Sequence, residues 1–152
     1  MFDVIVVGTD GSESAGVAVE HAADLALMKG GILHIVSAYR PVSLGSVAMA
    51  ASAGASPIDV DQVNRGVAAE GELVCEHAAE AARRRGVKVE VHAVPGEPAD
   101  VLIGVAQEVG ADVLVVGNRG MSGARRFVLG SVPNKVSHHC PCSLLIVDTS
   151  TT

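Results

Sequence analysis

The sequence predicts an α/β fold, with a single five-stranded parallel sheet and helices on both of its faces. Short Val-rich runs alternate along the chain with Ala-rich stretches in which apolar residues recur at helical spacing. Val-rich runs suit parallel strands that helices cover on both sides, and parallel strands need crossovers of helical length. The chain of 152 residues is long enough for one domain, 1–152, with its own buried core.

In the first half of the chain, apolar runs and turn residues define each element. They predict a strand over 4–8, a helix from Ser12 to the glycine pair at 30–31, a strand over 32–38, a surface loop over 40–57 and a helix from Asp59 to Gly86. Ser12 can cap the first helix, and glycine can end both helices. The loop prediction rests on two prolines and two glycines among Ser and Ala. On the second helix, the residues expected to face the core are Val60, Val63, Val67, Val74, Ala78 and Ala81.

The second half of the chain continues the same alternation. It predicts a strand over 87–94, a helix that begins at Glu97 and ends at Gly110, a strand over 112–117, a long loop, a helix over about 132–139 and a strand over 144–147. Pro98 suits the first turn of its helix, because the N–H that proline lacks would be unpaired there anyway.

Charge and hydropathy exclude several classes of partner. The formal net charge is −6, so the chain as a whole does not attract nucleic acid or an anionic membrane. The sequence contains no apolar run as long as a membrane span, and no basic region precedes its first apolar run. We therefore expect a cytoplasmic protein that binds neither nucleic acid nor membrane.

The cysteines do not predict a disulfide framework or a metal site. Their number is three, and an odd number without a secretion signal argues against disulfide pairing. Cys140 and Cys142 follow His138 and His139, which suggests a metal-binding cluster. The spacing does not match a zinc site, and the sequence shows no second ligand pair. A helix that ends before Pro141 explains the segment, and we expect no metal site.

The loop after the fourth strand has the composition of a phosphate-binding site. Its glycines would let backbone N–H groups approach an anion, and Ser131 adds a hydroxyl at the start of a helix, where the helix dipole favours negative charge. Several arginines gather positive charge there in an otherwise acidic chain. The residues concerned are Gly117, Asn118, Arg119, Gly120, Arg125, Arg126, Gly130 and Ser131. The alternative is a surface loop with solvated arginines.

Two common nucleotide motifs are absent from the sequence. The loop has no Lys beside its terminal Gly-Ser and so is not a Walker P-loop, and no Gly-x-Gly-x-x-Gly follows a strand.

A second candidate segment is Thr9-Asp10-Gly11, which follows the first strand. Asp10 can accept hydrogen bonds from ribose hydroxyls or contact a divalent ion carried by a nucleotide. Alternatively, it is a turn residue that satisfies its own backbone.

These segments together resemble the universal stress protein family, and in particular its ATP-binding members. The resemblance is carried by Gly117-x2-Gly120-x9-Gly130-Ser131, by the opening Val-Val-Gly-Thr-Asp-Gly-Ser and by the turn Gly96-Glu97-Pro98-Ala99. It spans the whole chain. It implies a flavodoxin-like strand order of 3-2-1-4-5 and a homodimer formed along the last strand, Ser143 to Val147.

The resemblance also implies a role for individual residues. Asp10, between Thr9 and Gly11, would contact the ribose, and the backbone at Ala38 would meet adenine. The residues that would surround the phosphates are Gly117, Asn118, Arg119, Gly120, Arg126, Gly130, Ser131 and Val132. One departure is Pro133, which removes an N–H near the phosphate end and so alters the set of donors for a triphosphate.

The expected function is a nucleotide-dependent stress or signalling protein that binds an adenine nucleotide, with ATP as the first ligand and Mg²⁺ or Mn²⁺ as its companion. Cyclic AMP on the same site is an alternative, because it needs no donors for a long phosphate tail. A slow ATP hydrolase is another, but the sequence offers no clear group to orient the attacking water. We therefore expect no catalytic residues.

Overall fold

The computed structural model describes residues 1–119 and 128–150 of the chain. Five parallel strands form one sheet in the order β3-β2-β1-β4-β5, which confirms the predicted α/β class and strand order. The described elements are β1 Val4–Gly8, α1 Glu13–Lys29, β2 Ile32–Tyr39, α2 Leu44–Ser52, α3 Val60–Arg84, β3 Lys88–Pro95, α4 Pro98–Glu108, β4 Val113–Gly117, α5 Ser131–His139 and β5 Ser143–Val147. Within these residues, no helix is both long and apolar enough to cross a membrane.

Alternation along the strands divides the core between the two faces of the sheet. In β1, Ile5 and Val7 belong to the cluster that includes residues of α1 and α3, whereas Val6 belongs to the cluster that includes α4 and α5. All three side chains are completely buried. Helices therefore cover both faces of the central strands, as the near-continuous apolar runs predict.

The predicted loop over 40–57 is wrong in its central part, which is the helix α2. Ser43 caps this helix, because its Oγ accepts a hydrogen bond from the N–H of Ser46 at 3.2 Å. None of its residues is buried, and Leu44 and Met49 are each more than three-quarters exposed. The prolines and glycines that predicted a loop lie at the edges or in the first turn, and the Ala-rich centre has the higher helix propensity.

The predicted core face of α3 is also displaced. The residues buried on this helix are Gly71, Cys75, Ala79 and Ala82, whereas Val63 and Ala81 are exposed. A Cβ added to Gly71 would lie 3.3 Å from Tyr39 Cδ1, so the helix approaches β2 closely. The buried face of α3 consists of small residues. A prediction based on large apolar side chains therefore selects residues beside this face rather than on it.

Asp112 joins the starts of two strands, and its protonation is expected to destabilise the protein in acid. Its Oδ2 accepts hydrogen bonds from the N–H groups of Asp3 at 2.8 Å and Val4 at 3.0 Å. The bonds from Val4 and Asp3 lower the pKa of the Asp112 carboxyl. A depressed carboxyl pKa contributes stability above the unfolded-state pKa, about 4, and that contribution is lost as the pH falls through the folded-state value.

Asp112→Asn should therefore be less stable than the parent near neutral pH, and the difference should shrink below about pH 4. Denaturant unfolding of both proteins over that range measures the effect. A stability difference that stays constant down to acid pH would show that the carboxylate charge plays no part.

Candidate functional site

A pocket opens at the carboxyl ends of the central strands. In this sheet, the chain runs outward from β1 to β2 and β3 and then returns to β4 on the other side of β1. Ligands of open α/β sheets bind at such a reversal of strand order. The residues that line the pocket are Gly8, Thr9, Asp10, Ala15, Val36, Ala38, Pro98, Leu102, Val116, Gly117, Arg119, Ser131, Val132 and Pro133.

The turn after β1 is held by its own hydrogen bonds. The Thr9 N–H donates to the carbonyl of Val36 at 2.8 Å, which extends the pairing of β1 with β2 into the pocket. The Asp10 Oδ1 accepts from the N–H of Ser12 at 2.9 Å, and Gly11 has a φ of 80°. Asp10 thus has the predicted turn role, and a carboxylate retains acceptor capacity for a second partner. Its exposed side chain lines the pocket.

The amino end of α5 also lines the pocket, through Ser131, Val132 and Pro133. Gly130 is the N-cap and provides no side chain to bond the first N–H groups. The Asn134 N–H donates to the carbonyl of Gly130 at 3.0 Å, and Pro133 has no N–H. Of the N–H groups that a helix start leaves without an intrahelical partner, two therefore belong to the lining residues Ser131 and Val132. Together with the dipole of α5 they favour an anion.

Two interactions hold α5 in this position. Lys135 Nζ lies 2.8 Å from Asp100 Oδ1, which ties the helix to α4. Val136 is completely buried in the cluster on that face of the sheet. The orientation of the helix start is therefore set by packing before any ligand is bound.

Asn118 has a structural role that the sequence prediction missed. Its Oδ1 accepts from the N–H of Thr149 at 3.0 Å and from the Thr149 hydroxyl at 2.9 Å, and its Nδ2 donates to Asp148 Oδ1 at 3.0 Å. Its carbonyl accepts from the Gly130 N–H at 3.0 Å. Asn118 therefore joins the end of β4 to the segment after β5 and to the start of α5. The hydroxyl and N–H of Ser150, with the Asn118 amide, hold the pKa of the Asp148 carboxyl below its usual range.

The glycines around the pocket differ in whether their surroundings leave room for a side chain. Gly130 has a φ of −58°, so its backbone conformation does not require glycine. A Cβ on Gly117 would lie 3.0 Å from Thr149 Cγ2, so this glycine makes room for the segment after β5. Gly8, which the sequence prediction omitted, makes room for Leu102, whose Cδ1 would lie 2.9 Å from an added Cβ.

The structure brings together seven of the predicted site residues. Those lining the pocket are Thr9, Asp10, Ala38, Gly117, Arg119, Ser131 and Val132. Gly11, Asn118 and Gly130 support the pocket but do not line it, and Gly120, Arg125 and Arg126 lie outside the described residues. The lining residues that the prediction missed are Gly8, Ala15, Val36, Pro98, Leu102, Val116 and Pro133.

The pocket combines an apolar wall with a few polar groups. Val36 and Ala38 come from β2, Val116 comes from β4, and Pro98 and Leu102 come from α4. Among the described lining residues, the charged side chains are Asp10 and Arg119. An apolar wall suits a flat ring, and the positive end of α5 beside Arg119 suits a phosphate.

The segment that suggested a metal cluster does not converge on one point. Cys140 Sγ and Cys142 Sγ are 3.8 Å apart as free thiols, while the ring centroids of His138 and His139 are 6.5 Å apart. Burial, followed by the neighbouring Cys140 thiol, raises the pKa of Cys142 to about 12. In the described part of the chain, this segment contains no group of three donors within bonding reach of one ion.

The fold and the pocket define a flavodoxin-like α/β protein with a helix start at its sheet switch point. The chain belongs to the universal stress protein family, because the family model described as "Universal stress protein family" matches residues 1–148. The strand order and the full-length match agree with the resemblance seen in the sequence.

Individual relatives support the assignment over nearly the whole chain. Universal stress protein YxiE of Bacillus subtilis is 33% identical over 147 residues, which are 97% of this chain and 99% of that protein. Universal stress protein Rv1636 of Mycobacterium tuberculosis H37Rv is 38% identical over 152 residues, with 98% of both chains covered. A solved universal stress protein in complex with cAMP is 34% identical, with a TM-score of 0.69 and 98% of each chain covered.

Proposed function

We propose that this universal stress protein binds an adenine nucleotide in the pocket between β1, β2, β4 and α5, and that it acts as a nucleotide-dependent stress or signalling protein. The observation that carries the proposal is the unpaired start of α5, where the N–H groups of Ser131 and Val132 adjoin an apolar cleft. A phosphate would bind at this helix start. The related structure that is 34% identical contains cAMP, which supports the choice of an adenine nucleotide.

Other lining residues would contact the base and the ribose of the nucleotide and neutralise its phosphate charge. The apolar residues Val36 and Ala38 at the end of β2 would contact the base. Asp10 also lines the pocket, and its carboxylate would accept hydrogen bonds from the ribose hydroxyls. Arg119 would neutralise part of the phosphate charge.

ATP is the first candidate ligand, on the glycine motif that the chain shares with ATP-binding members of the family. Asp10 is the lining carboxylate that would contact Mg²⁺ or Mn²⁺ carried by ATP. No His or Lys is found among the described lining residues to orient a hydrolytic water. We therefore propose binding without efficient turnover, and the slow ATP hydrolase is the alternative.

Cyclic AMP is the second candidate, and two observations favour it. The cyclic phosphate carries one negative charge, which the N–H groups at the start of α5 and the Arg119 side chain would stabilise. Pro133 removes the next N–H, which a longer phosphate chain would otherwise use. The solved relative that is 34% identical has cAMP bound, which supports cyclic AMP as a candidate for this chain.

Calorimetric titration of the purified protein with ATP, with ATP plus Mg²⁺ and with cyclic AMP tests both candidates. Mass spectrometry of nucleotide released from the native protein identifies what it carries from the cell. We expect saturable binding of one nucleotide per chain and no ADP formation over the titration. Binding of neither ligand would contradict the proposal, and ADP formation that exceeds a Gly130→Val preparation would support the hydrolase instead.

We also propose a homodimer formed along β5. This strand is at the edge of the sheet, and its Leu145 and Ile146 are 39% and 37% exposed. An open apolar edge of this kind favours pairing with a second chain.

A cytoplasmic location stays a prediction from the sequence.

Replacing Leu145 and Ile146 together with Lys should convert the dimer to a monomer, because charge on both faces of the edge opposes pairing. Light scattering at micromolar concentration measures the mass. Leu73→Lys is the matched control, since Leu73 is 70% exposed on α3, away from the edge, and should leave the dimer intact. A parent protein that is already monomeric would rule out the proposed dimer.

A further inference from the structure

Two histidines and a glutamate meet on the sheet surface beside the nucleotide pocket. His34 is on β2, and Glu90 and His92 are on the edge strand β3. The register pairs His34 with Glu90 and Val36 with His92, so the three side chains share one face of the sheet. His34 is more than fifty residues away from Glu90 and His92 in the sequence, so a search for metal-ligand spacing along the chain does not find this group.

The donor atoms of the three side chains converge. His34 Nδ1 lies 2.9 Å from His92 Nε2 and 3.6 Å from Glu90 Oε2. All three donor atoms lie within 4.8 Å of one another. A tetrahedral zinc ion with bonds of about 2 Å separates neighbouring ligand atoms by about 3.3 Å. The 2.9 and 3.6 Å distances from His34 lie on either side of that separation, so His34 needs to move only a few tenths of an ångström relative to each partner, and the His92 and Glu90 donor atoms lie within 4.8 Å of each other.

The surroundings of the group suit a metal ion that enters from solvent. The His34 side chain is only 7% exposed, which fixes its ring in the sheet, whereas the Glu90 side chain is 58% exposed. Glu90 can therefore swing outward to admit an ion and then close over it. Three protein donors, two imidazoles and one carboxylate, are the ligand types that Zn²⁺ uses when its fourth position is held by water or another molecule.

We propose that His34, Glu90 and His92 form a site for a divalent transition-metal ion, with Zn²⁺ as the best fit. The ligand types exclude Mg²⁺ and Ca²⁺ as preferred occupants, because those ions select oxygen donors. The site lies next to the nucleotide pocket along β2, since Val36 follows His34 on the same face of the strand and lines the pocket. The alternative is a hydrogen-bonded histidine pair with no affinity for metal.

The experiment uses the full chain with Cys140→Ser and Cys142→Ser, because the two neighbouring thiols would otherwise compete for zinc. Calorimetric titration with Zn²⁺ should show one ion per chain in the micromolar range or tighter. Zinc should also raise the melting temperature, because it binds the folded state. The absorption spectrum of the Co²⁺ form should show the intensity expected for a four- or five-coordinate ion.

His92→Ala should weaken zinc binding at least about tenfold, as should Glu90→Gln, which changes an exposed side chain and so leaves the fold intact. The matched control is His138→Ala with His139→Ala, which removes two imidazoles outside the group and should leave zinc affinity unchanged. Equal zinc affinity in Glu90→Gln and the parent would overturn the proposal. So would the absence of micromolar binding, or binding that depends on His138 and His139 instead. Each result is independent of nucleotide binding.

Discussion

Gly130→Val is expected to abolish adenine-nucleotide binding, with at least about a hundredfold loss of affinity, and to leave the fold intact. Gly130 precedes the two free N–H groups of α5, and its own N–H donates to Asn118. An added Cβ would lie 3.4 Å from the Asn118 carbonyl oxygen and 3.5 Å from Pro133 Cδ, which is ordinary contact. The two further methyl groups of valine would occupy space beside the helix start that a phosphate needs.

The stability of this variant should fall by only about 1 kcal/mol, since valine is a poorer N-cap than glycine. Gly104→Val is the matched control, because an added Cβ there meets nothing within 4 Å. Calorimetry with ATP and cyclic AMP, together with a melting curve for each variant, separates loss of binding from loss of folding. A Gly130→Val protein that binds both ligands as the parent does would show that the start of α5 is not the phosphate site.

Asp10→Ala is expected to weaken nucleotide binding by roughly 1.5–3 kcal/mol, or about 10- to 150-fold, through loss of a charged acceptor for the ribose. The variant also loses the hydrogen bond from the Ser12 N–H, so the turn before α1 is weakened. The exposed position of Asp10 limits the cost in stability.

Asp10→Asn provides the control for that turn, because an amide oxygen can still accept from Ser12 while the charge is removed. Affinity should fall in both variants, whereas only Asp10→Ala should lose stability. If calorimetry shows that Asp10→Ala binds nucleotide with unchanged affinity, Asp10 is only a turn residue and does not contact the ribose.

The sequence was sufficient for the five strands and most helices because apolar runs and caps are local signals, whereas the strand order came from the resemblance to the universal stress protein family. Ser12 caps α1 through a hydrogen bond from the Ala15 N–H, and Gly30 ends it with a φ of 67°, as the residue types predict. The displaced face of α3 came from contacts between distant segments, whereas the missed helix α2 came from the prolines and glycines around its Ala-rich centre. The buried face of α3 is made of small residues such as Gly71 because of the approach of Tyr39, which no local pattern records.

The candidate site was predictable where the residues carry distinct chemistry and not where they serve packing. Asp10 could be selected because a carboxylate suits ribose hydroxyls, and Arg119 and Ser131 could be selected because a cation and a hydroxyl at a helix start suit a phosphate. Leu102 and Val36 look like any other core residue in the sequence, and their place in the pocket depends on the strand order. The sequence prediction assigned Asn118 to ligand binding. Its side-chain amide instead forms hydrogen bonds with Asp148 and Thr149 after β5, about thirty residues away along the chain.

The central claim is that an adenine nucleotide places its phosphate at the start of α5. Titration of the uniformly ¹⁵N-labelled protein with cyclic AMP, and separately with ATP, tests it most directly by nuclear magnetic resonance. The account predicts saturable shifts of the Ser131 and Val132 amide signals, accompanied by shifts at Asp10 and Ala38 across the pocket. Saturable shifts confined to other parts of the chain, or no shifts with either nucleotide, would contradict it.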